Sequence, residues 1–531
     1  MGVGRDFQVP GRSPVLATNG LVATSHPLAT AAALEVLRRG GNSMDAAICA
    51  VALLSVAEPH MTGPGGDCFV LHAPAGGAPV AYNGSGRAPA AADADLLQLN
   101  GLSAIPHRSA LAVTVPGAVE AWARLAADHG RLGLDALLAP AIDLARAGCP
   151  VAPRVADDWA KEVPVLAGDP VSRELLLPGG RPPGVGETFT NPPLAEALAA
   201  IAEQGPDAFY KGWIAEDLLD TLAARGGWHA AEDFAAHRGE YVEPIATEYG
   251  GKRILECPPN GQGLTALLAL NILKGFDLAG SAPLGAMRLH LQAEALRLAY
   301  ADRNAFIADP EHAEVPVDDL LGEAYARHRR AAIDPAQAMG ELPRLDWPPH
   351  RDTVYLCVVD GDGAATSFIN SIFDAFGSAI TGPRSGITLH SRGAGFVLTP
   401  GHPNRLAGGK RPMHTIIPGL VMEGDQPLMP FGVMGGQYQA AGHVHFLTNW
   451  LDFGMDVQAA LDLPRAFHFA GRHEVERGIP EATVQALRSL GHVVTRAEAP
   501  IGGGQAILID RARGVLWGGS DPRKDGCALG W

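Results

Sequence analysis

Thr353 opens an apolar run, and its hydroxyl could act as a nucleophile. The run from Thr353 to Asp360 is rich in β-branched residues and predicts a strand that is buried on both faces. It ends at Asp360-Gly361-Asp362-Gly363, a turn signal, and a second strand-like run follows from Ala364 to Phe373. The two runs predict a hairpin with a threonine at its mouth. Threonine is common in strands, so its chemistry depends on the residues that lie downstream.

Three downstream features could complete a nucleophilic site. Ser371 and Ser367 lie in the predicted return strand, within reach of the first strand. Another strand-like run ends in Gly435-Gly436, and backbone N–H groups of such a turn can form an oxyanion hole. Residues 410 to 415 form a basic and polar loop before an apolar run. Each motif is weak alone, because glycine pairs and short basic loops recur by chance.

Length and composition describe a large globular protein. The chain has 531 residues, of which 47% are hydrophobic and 18% charged, enough to bury a large core. Its net charge is 41 − 57 = −16, which disfavours nucleic acid as a partner because phosphate binding needs clustered lysine and arginine. The longest apolar stretches, such as Ala46 to Ala57, are too short to span a bilayer, so no membrane partner is predicted.

The cysteines and the first residues bear on compartment and cofactors. Six cysteines are scattered without a C-x-x-C pair, so neither a disulfide framework nor a zinc site is predicted. We expect no cofactor and no metal. The residues Met1 to Asp6 lack an apolar signal core. The sequence therefore predicts a cytoplasmic protein of the size of an enzyme.

Helices are predicted before the central hairpin. Ala31 to Arg39, with Thr30 as N-cap, predicts one helix, and Asp45 to Ala57, which follows Asn42-Ser43, predicts the next. Residues 108 to 245 are mostly helical in pattern.

The segment before Thr353 combines one clear helix with a poorly patterned tail. Residues 285 to 306 predict an amphipathic helix in which His290 and Glu294 lie one turn apart. A metal pair is conceivable there, but a surface hydrogen bond or solvated pair is the favoured interpretation. Residues 308 to 350 lose regular pattern and are rich in proline, which predicts a flexible segment.

Taken in order, these motifs resemble the γ-glutamyltransferase family of N-terminal-nucleophile hydrolases over nearly the whole chain. The motifs are Ala23 to Pro27, Gly40 to Ala47, Gly63 to Gly66, His290 to Arg303, Thr353 to Asp360, Phe376 to Ser378, Lys410 to Pro412, Met434 to Gly436 and Gly519 to Arg523. The resemblance implies an α+β fold, a four-layer αββα sandwich with two stacked, mainly antiparallel sheets and helices outside.

The resemblance also implies that the chain cuts itself between Asp352 and Thr353. The products would be a large subunit, residues 1–352, and a small subunit, residues 353–531, intertwined in one globular unit. The cleaved subunits would be each other's partners in a heterodimer. Whether these heterodimers assemble further stays open.

The implied chemistry is acyl transfer through a threonine ester. The freed α-amine of Thr353 has a reference pKa of about 7.7–8.0, so it can act as the base for its own hydroxyl. The family's helper hydroxyl maps to Ser371, counting without gaps from Asp360. Gly435 and Gly436 would hold the oxyanion, and water or an amine would release the acyl group.

The chain departs from the γ-glutamyl-specific members at the places that bind their zwitterionic substrate. Their carboxylate-binding arginine is replaced by Ser85, and their paired acids by Ala394 and Gly395. Without an acid nothing obvious would pair a substrate ammonium, and a buried unpaired charge is costly. The other replaced positions are Phe373, Arg392 and His414-Thr415. The pattern is more similar to the amidohydrolase branch, which includes oxamate amidohydrolase and cephalosporin-acylase-like enzymes.

The substrate predicted on this basis is a small amide that carries a carboxylate. Arg392 would bind the carboxylate through two charge-assisted hydrogen bonds, with Arg87, His414 and Thr415 as further substrate-binding candidates. Alternatively, Arg392 pairs only with a protein acid such as Asp374.

Other functions stay open at this point. Within the family, a γ-glutamyltransferase or glutathione hydrolase and a glutaryl (cephalosporin) acylase are alternatives. A serine hydrolase of the nucleophile-elbow type would need G-x-S-x-G, which is not found. A relative that binds without self-processing is a non-enzymatic alternative, which an uncut chain on a denaturing gel would favour.

Overall fold

The structure is a computed structural model that describes residue 8 and residues 11–342 and 353–531. Within these ranges two seven-stranded sheets form the centre, and neighbouring strands in both are antiparallel. The first sheet contains, in spatial order, Val15–Ala17, Val515–Ser520, Gly503–Asp510, Gln426–Met434, Gly419–Glu423, Lys252–Glu256 and Ile245–Tyr249. The second contains Cys527–Gly530, Leu21–Thr24, Val354–Val359, Ala365–Ser371, Asp67–Ala73, Val80–Gly84 and Glu240–Val242.

The strand Val354–Val359 is buried on both faces, as predicted. Val354 and Leu356 belong to the core between the second sheet and its helices. Tyr355 and Cys357 point the opposite way, into the core between the two sheets. This alternation follows from the two-residue period of a strand, and it lets one strand contribute to two cores.

The predicted hairpin is present, and Asp360 builds its turn. The Asp360 Oδ1 atom accepts hydrogen bonds from the backbone N–H groups of Asp362 (3.1 Å) and Ala364 (3.0 Å). Gly363 adopts a φ of 87°, which favours glycine. The return strand is Ala365–Ser371, and Val354 pairs with Asn370. One residue earlier, this register places Thr353 at the level of Ser371.

Helices cover the outer face of each sheet, so the four-layer αββα prediction is confirmed. The second sheet is covered by Pro27–Arg38, Ser43–Ala57, Ala118–His129, Leu134–Ala147, Pro192–Gln204 and Trp213–Ala223. The first sheet is covered by Gly263–Leu273, Ala286–Phe306, Gln439–Leu451 and Val457–Asp462. None of the helices in the described ranges is both long and apolar enough to cross a membrane.

Shorter elements surround these layers. The further helices are Ala94–Leu99, Pro153–Lys161, Val163–Leu166, Pro170–Leu176, Asp207–Tyr210, Ala231–Ala236, Val317–Leu321, Glu323–Arg330 and Glu481–Ser489. Small sheets join Cys149–Pro150 to Thr188–Phe189, Ile380–Thr381 to Thr388–Leu389, and Ala466–Phe469 to Arg472–Val475 and Val494–Arg496.

The first helix begins earlier than predicted. It starts at Pro27, and the His26 side chain, not Thr30, accepts a hydrogen bond from the N–H of Leu28 (3.3 Å). Proline fits the first helical position because its fixed φ is helical and it has no N–H to leave unpaired. The Thr30 hydroxyl lies 2.8 Å from that of Thr24 in the adjacent strand.

Two predictions for the segment before Thr353 were wrong. Residues 308 to 342 are not loop throughout, since they contain the helices Val317–Leu321 and Glu323–Arg330; residues 343 to 350 lie outside the described ranges. His290 and Glu294 are not a solvated surface pair, because both are fully buried. The prediction for residues 308 to 342 relied on their proline content and overlooked two short helical patterns. The helix Ala286–Phe306 is buried on more of its faces than the positions of its apolar residues indicate.

Candidate active site

The structure brings Thr353 and Ser371 into contact at the end of the hairpin. Thr353 is buried, and its Oγ1 donates a hydrogen bond to Ser371 Oγ (3.2 Å). Ser371 Oγ also accepts from the backbone N–H of Phe373 (2.9 Å), which has a φ of 79°. The Gln439 Nε2 atom donates to Thr353 Oγ1 at 3.4 Å. The threonine hydroxyl is thus held by a second hydroxyl and an amide.

The predicted Gly435-Gly436 turn follows the strand Gln426–Met434 and leads into the helix that Gln439 begins. Gly435 has a φ of 129° and Gly436 a φ of 57°. A Cβ atom on Gly435 would lie 2.9 Å from the Cα atom of Gly502, so a side chain there would force the turn to shift. Only glycine adopts both angles at little cost. Gln439 connects this turn to Thr353.

Buried polar side chains brace the glycine turn from below. Gln262 donates from Nε2 to the carbonyl oxygens of Thr415 (2.7 Å) and Gly436 (3.3 Å). Arg303 in turn donates to Gln262 Oε1 (2.8 Å) and Gln437 Oε1 (2.5 Å). Burial lowers the pKa of Arg303 to about 10, so it remains a cation at neutral pH. The hydrogen bonds of Gln262 and Arg303 therefore hold the glycine turn in place.

Asp67 is a buried hub that sequence analysis did not identify as a site residue. Its Oδ1 accepts from the N–H groups of Gly86 (3.1 Å) and Gly117 (3.2 Å), and its Oδ2 lies 3.0 Å from His414 Nε2. Burial alone would oppose ionisation of the carboxyl, but His390, His414 and Arg392 lower its pKa well below the usual range. Asp67 is therefore a carboxylate at neutral pH.

Arg392 is fully buried beside this hub. Its Nε lies 3.6 Å from Asp67 Oδ2, and its NH1 donates to Thr415 Oγ1 at 3.3 Å. The guanidinium carbon is 4.6 Å from the centre of the Phe373 ring. Burial lowers the pKa of Arg392 to about 10, although the Asp67 carboxylate favours the charged form. The side chain is therefore still a cation at neutral pH. Within the described ranges its NH2 has no hydrogen-bond partner.

The alternative pairing of Arg392 with Asp374 is replaced by pairing with Asp67. Asp374 Oδ2 accepts from the hydroxyl of Ser391 (2.7 Å) and lies 2.6 Å from His107 Nδ1. The acid nearest to the guanidinium comes from a strand that is more than 300 residues earlier in the chain, and no sequence spacing indicates that contact.

His414 and Arg87, two of the other predicted substrate-binding side chains, have partners within the protein. His414 Nε2 lies 3.0 Å from Asp67 Oδ2, and its Nδ1 lies 2.8 Å from the carbonyl oxygen of Pro412 and 3.1 Å from the Asn260 amide nitrogen. Burial lowers the pKa of His414, while Asp67 and the Pro412 carbonyl favour its protonated form. Arg87 donates to Gly409 O (3.0 Å) and Glu311 (2.6 Å). In the described part of the chain, no hydrogen bond or ion pair connects Arg87 to Arg392 or Thr353.

Of the sequence-predicted site residues, the structure thus brings two groups together. Thr353 contacts Ser371 directly and reaches the glycine turn through Gln439, and Arg392 contacts Thr415. Phe373 joins the two groups, because its backbone N–H donates to Ser371 Oγ and its ring packs against the Arg392 guanidinium. Asp352 lies outside the described residues. The side chains missed by sequence analysis are Asp67, Asn260, Gln262 and Gln439.

Comparison with known proteins agrees with this architecture. A profile of the gamma-glutamyltranspeptidase family matches residues 29–531. The glutathione hydrolase-like YwrD proenzyme of Bacillus subtilis (strain 168) is 38% identical, over 97% of this chain and 99% of the relative. The oxamate amidohydrolase proenzyme of Klebsiella pneumoniae is 35% identical, over 97% and 99%.

A solved structure matches over the full length. The crystal structure of cephalosporin acylase from Bacillus halodurans superposes with a TM-score of 0.93 at 41% identity, covering 100% of this chain and 99% of that one. The αββα arrangement is the N-terminal-nucleophile hydrolase fold. The chain belongs to the gamma-glutamyltranspeptidase family, whose members are amidohydrolases and acyltransferases.

Proposed function

We propose that the chain is a self-processing amidohydrolase that cuts itself between Asp352 and Thr353 and then uses Thr353 as its nucleophile. The relatives named above are proenzymes, which supports a precursor that must be cut. The observation that carries the proposal is the hydrogen bond from Thr353 Oγ1 to Ser371 Oγ at the mouth of a rigid hairpin. A hydroxyl held in this way can attack with little loss of orientational freedom.

The two products would remain one globular unit. In the second sheet, Leu21–Thr24 and Asp67–Ala73 flank the hairpin formed by Val354–Val359 and Ala365–Ser371. Strands from both sides of the cut thus share one ladder of hydrogen bonds. Residues 1–352 and 353–531 would therefore form an intertwined heterodimer. A cytoplasmic location is part of this proposal.

Cleavage would supply the catalytic base. The new α-amine of Thr353, with a reference pKa of about 7.7–8.0, takes the proton of its own hydroxyl. The hydroxyl oxygen attacks the substrate carbonyl, the C–N bond breaks, and the protonated α-amine returns its proton to the nitrogen of the substrate, which leaves as an amine and gives the Thr353 ester. Water or an acceptor amine then releases the acyl group. Ser371 keeps the attacking oxygen in place throughout.

Gly435 and Gly436 are proposed to stabilise the oxyanion with their backbone N–H groups. Their positive φ angles turn two successive peptide planes at the end of a strand, an arrangement that can aim both N–H groups at one point. The bracing by Gln262 and Arg303 fixes these donors before substrate arrives. Such preorganised donors need no rearrangement when charge develops.

The proposed substrate is a small amide with a carboxylate close to the scissile bond, as in oxamate. Arg392 is a buried cation whose NH2 has no hydrogen-bond partner in the described ranges, and Phe373 links it to Ser371. A buried charged donor left unsatisfied is costly, and a substrate carboxylate would remove that cost. Thr415 would position the guanidinium, while Asp67 and His414 hold its far side.

His414 and Arg87 have lesser roles in this proposal than those predicted from sequence. His414 supports Arg392 through Asp67 and does not itself bind substrate, because both its nitrogens are used within the protein. Arg87 pairs with the exposed Glu311 (2.6 Å). Binding of the substrate carboxylate therefore depends on Arg392.

Turnover of three substrates tests the proposed specificity. We expect the wild type to hydrolyse oxamate better than a glutaryl amide, and a glutaryl amide better than a γ-glutamyl anilide. Arg392→Ala is expected to lose about 30- to 5,000-fold in kcat/KM for the carboxylate-bearing substrate, since removing one partner of a buried charge pair costs about 2–5 kcal/mol. Arg87→Ala is the matched control and should stay within threefold of wild type (about 0.7 kcal/mol).

Two results would decide against this specificity. A γ-glutamyl anilide turned over far better than the others, with Arg392→Ala unchanged, would favour a glutathione hydrolase. A glutaryl amide preferred over oxamate would favour an acylase, the activity named for the Bacillus halodurans neighbour. The first outcome would rule out the proposed role of Arg392. The second would leave that role in place but would mean that the substrate is longer than oxamate.

A further inference from the structure

Five metal-ligating side chains meet away from the candidate active site. His468, His473 and His492 each offer a ring nitrogen, and these atoms all lie within 4.8 Å of one another. His290 and Glu294 adjoin them from the helix Ala286–Phe306. This histidine cluster sits on the small sheet formed by Ala466–Phe469, Arg472–Val475 and Val494–Arg496, and none of its members serves the proposed reaction.

We propose that His468, His473 and His492 bind one divalent transition-metal ion, such as Zn²⁺. Three imidazoles with an open fourth position form a common zinc arrangement. The site goes beyond the proposed amidohydrolase function and does not depend on it. It also departs from the expectation, based on cysteine spacing, that the chain holds no metal.

The strand register explains why the three rings meet. His468 and His473 are directly opposite each other in neighbouring antiparallel strands, so their side chains share one face of the sheet. The N–H of His473 donates to the carbonyl of Val493 (2.8 Å), which brings the neighbouring His492 alongside. The ring centres of His473 and His492 are 5.2 Å apart. Backbone pairing between the strands thus places the three histidine rings next to one another.

Hydrogen bonding determines which nitrogen of His492 carries the proton. His290 Nε2 lies 2.9 Å from the carbonyl oxygen of Asp334, which can only accept, so this nitrogen carries a proton. In neutral His290 the Nδ1 atom is then an acceptor, and His492 Nε2, 2.8 Å away, donates to it. The Nδ1 atom of His492 is left with a lone pair. A ligating histidine whose other nitrogen donates to a fixed partner is typical of metal sites.

His473 shows the clearest need for a ligand. It is 1% exposed, and within the described ranges neither of its ring nitrogens has a hydrogen-bond partner. Leaving a buried polar group unpaired costs about 1–3 kcal/mol, so such groups call for an explanation. A metal ion would satisfy one nitrogen of His473 and the lone pair of His492 together.

The ion would be reachable from solvent. His468 and His492 line a cavity of about 480 Å³, whose wall also contains Tyr300, Met339 and Leu342. Nitrogens within 4.8 Å of one another need to move by roughly 1 Å or less each to reach metal–nitrogen bonds of about 2.0–2.1 Å. The fourth ligand, a water or a small anion, would come from the cavity. Glu294 pairs with Arg297 (2.7 Å), so the surrounding protein charge is balanced.

The test is metal binding by tag-free, full-length protein. Equilibrium dialysis against Zn²⁺ followed by elemental analysis gives the stoichiometry, and Co²⁺ gives a visible spectrum that reports tetrahedral nitrogen ligands. We expect one ion per chain for the wild type. His473→Gln and His492→Gln should each weaken binding at least tenfold, whereas the matched control His328→Gln, on an exposed histidine, should bind as wild type.

Each outcome decides the proposal. No stoichiometric ion in the wild type, or no tetrahedral Co²⁺ spectrum, would overturn it, and this result needs no variant to fold. Binding that survives His473→Gln but not His492→Gln would also overturn it, because the ion would then lie at His290, Glu294 and His492. Binding lost in both variants, with melting curves like that of the wild type, would support the three-histidine site.

Discussion

Thr353→Ala is expected to yield a single uncut chain without amidase activity. The substitution removes the hydroxyl that donates to Ser371 Oγ (3.2 Å), and with it the proposed nucleophile for both the chain break and the substrate. Loss of a nucleophile in a comparable hydrolase costs about 10⁶ in kcat. The fold should persist, because each of the two hydrogen bonds lost with the hydroxyl contributes only about 1 kcal/mol. A denaturing gel and an amide-hydrolysis assay measure the two effects.

Thr353→Ser is the matched control for this experiment. It keeps a hydroxyl at the same place, so the chain should still be cut and should retain measurable activity. An alanine variant that matures at the same bond would show that another group, or another protein, makes the cut. An uncut alanine variant with normal turnover would separate self-processing from catalysis and remove Thr353 from the reaction.

Gly436→Pro is expected to lower kcat by about 10²–10³, the typical cost of one lost oxyanion donor. Proline has no N–H, so the proposed donor disappears. The structure adds a second effect, because Gly436 has a φ of 57° and proline fixes φ near −65°. Gly436→Ala separates the two effects: it keeps the N–H and pays only about 1–2 kcal/mol for a left-handed backbone. Steady-state kinetics on cleaved, folded protein provide the comparison.

The alanine variant should therefore lie much closer to wild type in kcat than the proline variant. Near-normal turnover by a folded proline variant would rule out the Gly436 N–H as a donor. If the proline variant does not fold, Gly435→Ala takes its place, because its Cβ would meet Gly502 and tilt the turn. Unchanged kcat in that variant would show that turnover does not depend on the geometry of the glycine turn.

The sequence predicted those parts of the site that follow from local pattern. The strand Val354–Val359, its Asp-Gly turn and the return strand are set by a two-residue period and by turn chemistry. These features are enough to place Thr353 beside Ser371. The glycine turn after Met434 was predictable for the same reason, since paired glycines at a strand end mark an unusual backbone.

Contacts between distant parts of the chain were not predictable in this way. Asp67 lies 325 positions before Arg392, and neither spacing nor composition connects them (392 − 67 = 325). Gln439 begins a helix, and only its position relative to Thr353 reveals its contact. His290 and His492 likewise meet because tertiary packing encloses a helix that its pattern describes as amphipathic. Which side chains of a helix are buried depends on how the layers pack together, and the pattern of a single segment does not show this.

The most direct test of the central claim is intact-mass measurement of the purified wild type, combined with N-terminal sequencing. Self-processing at the proposed bond predicts two polypeptides of 352 and 531 − 352 = 179 residues, the smaller beginning at Thr353. A single chain of 531 residues with full amidase activity, or a smaller fragment that begins at any other residue, would contradict it.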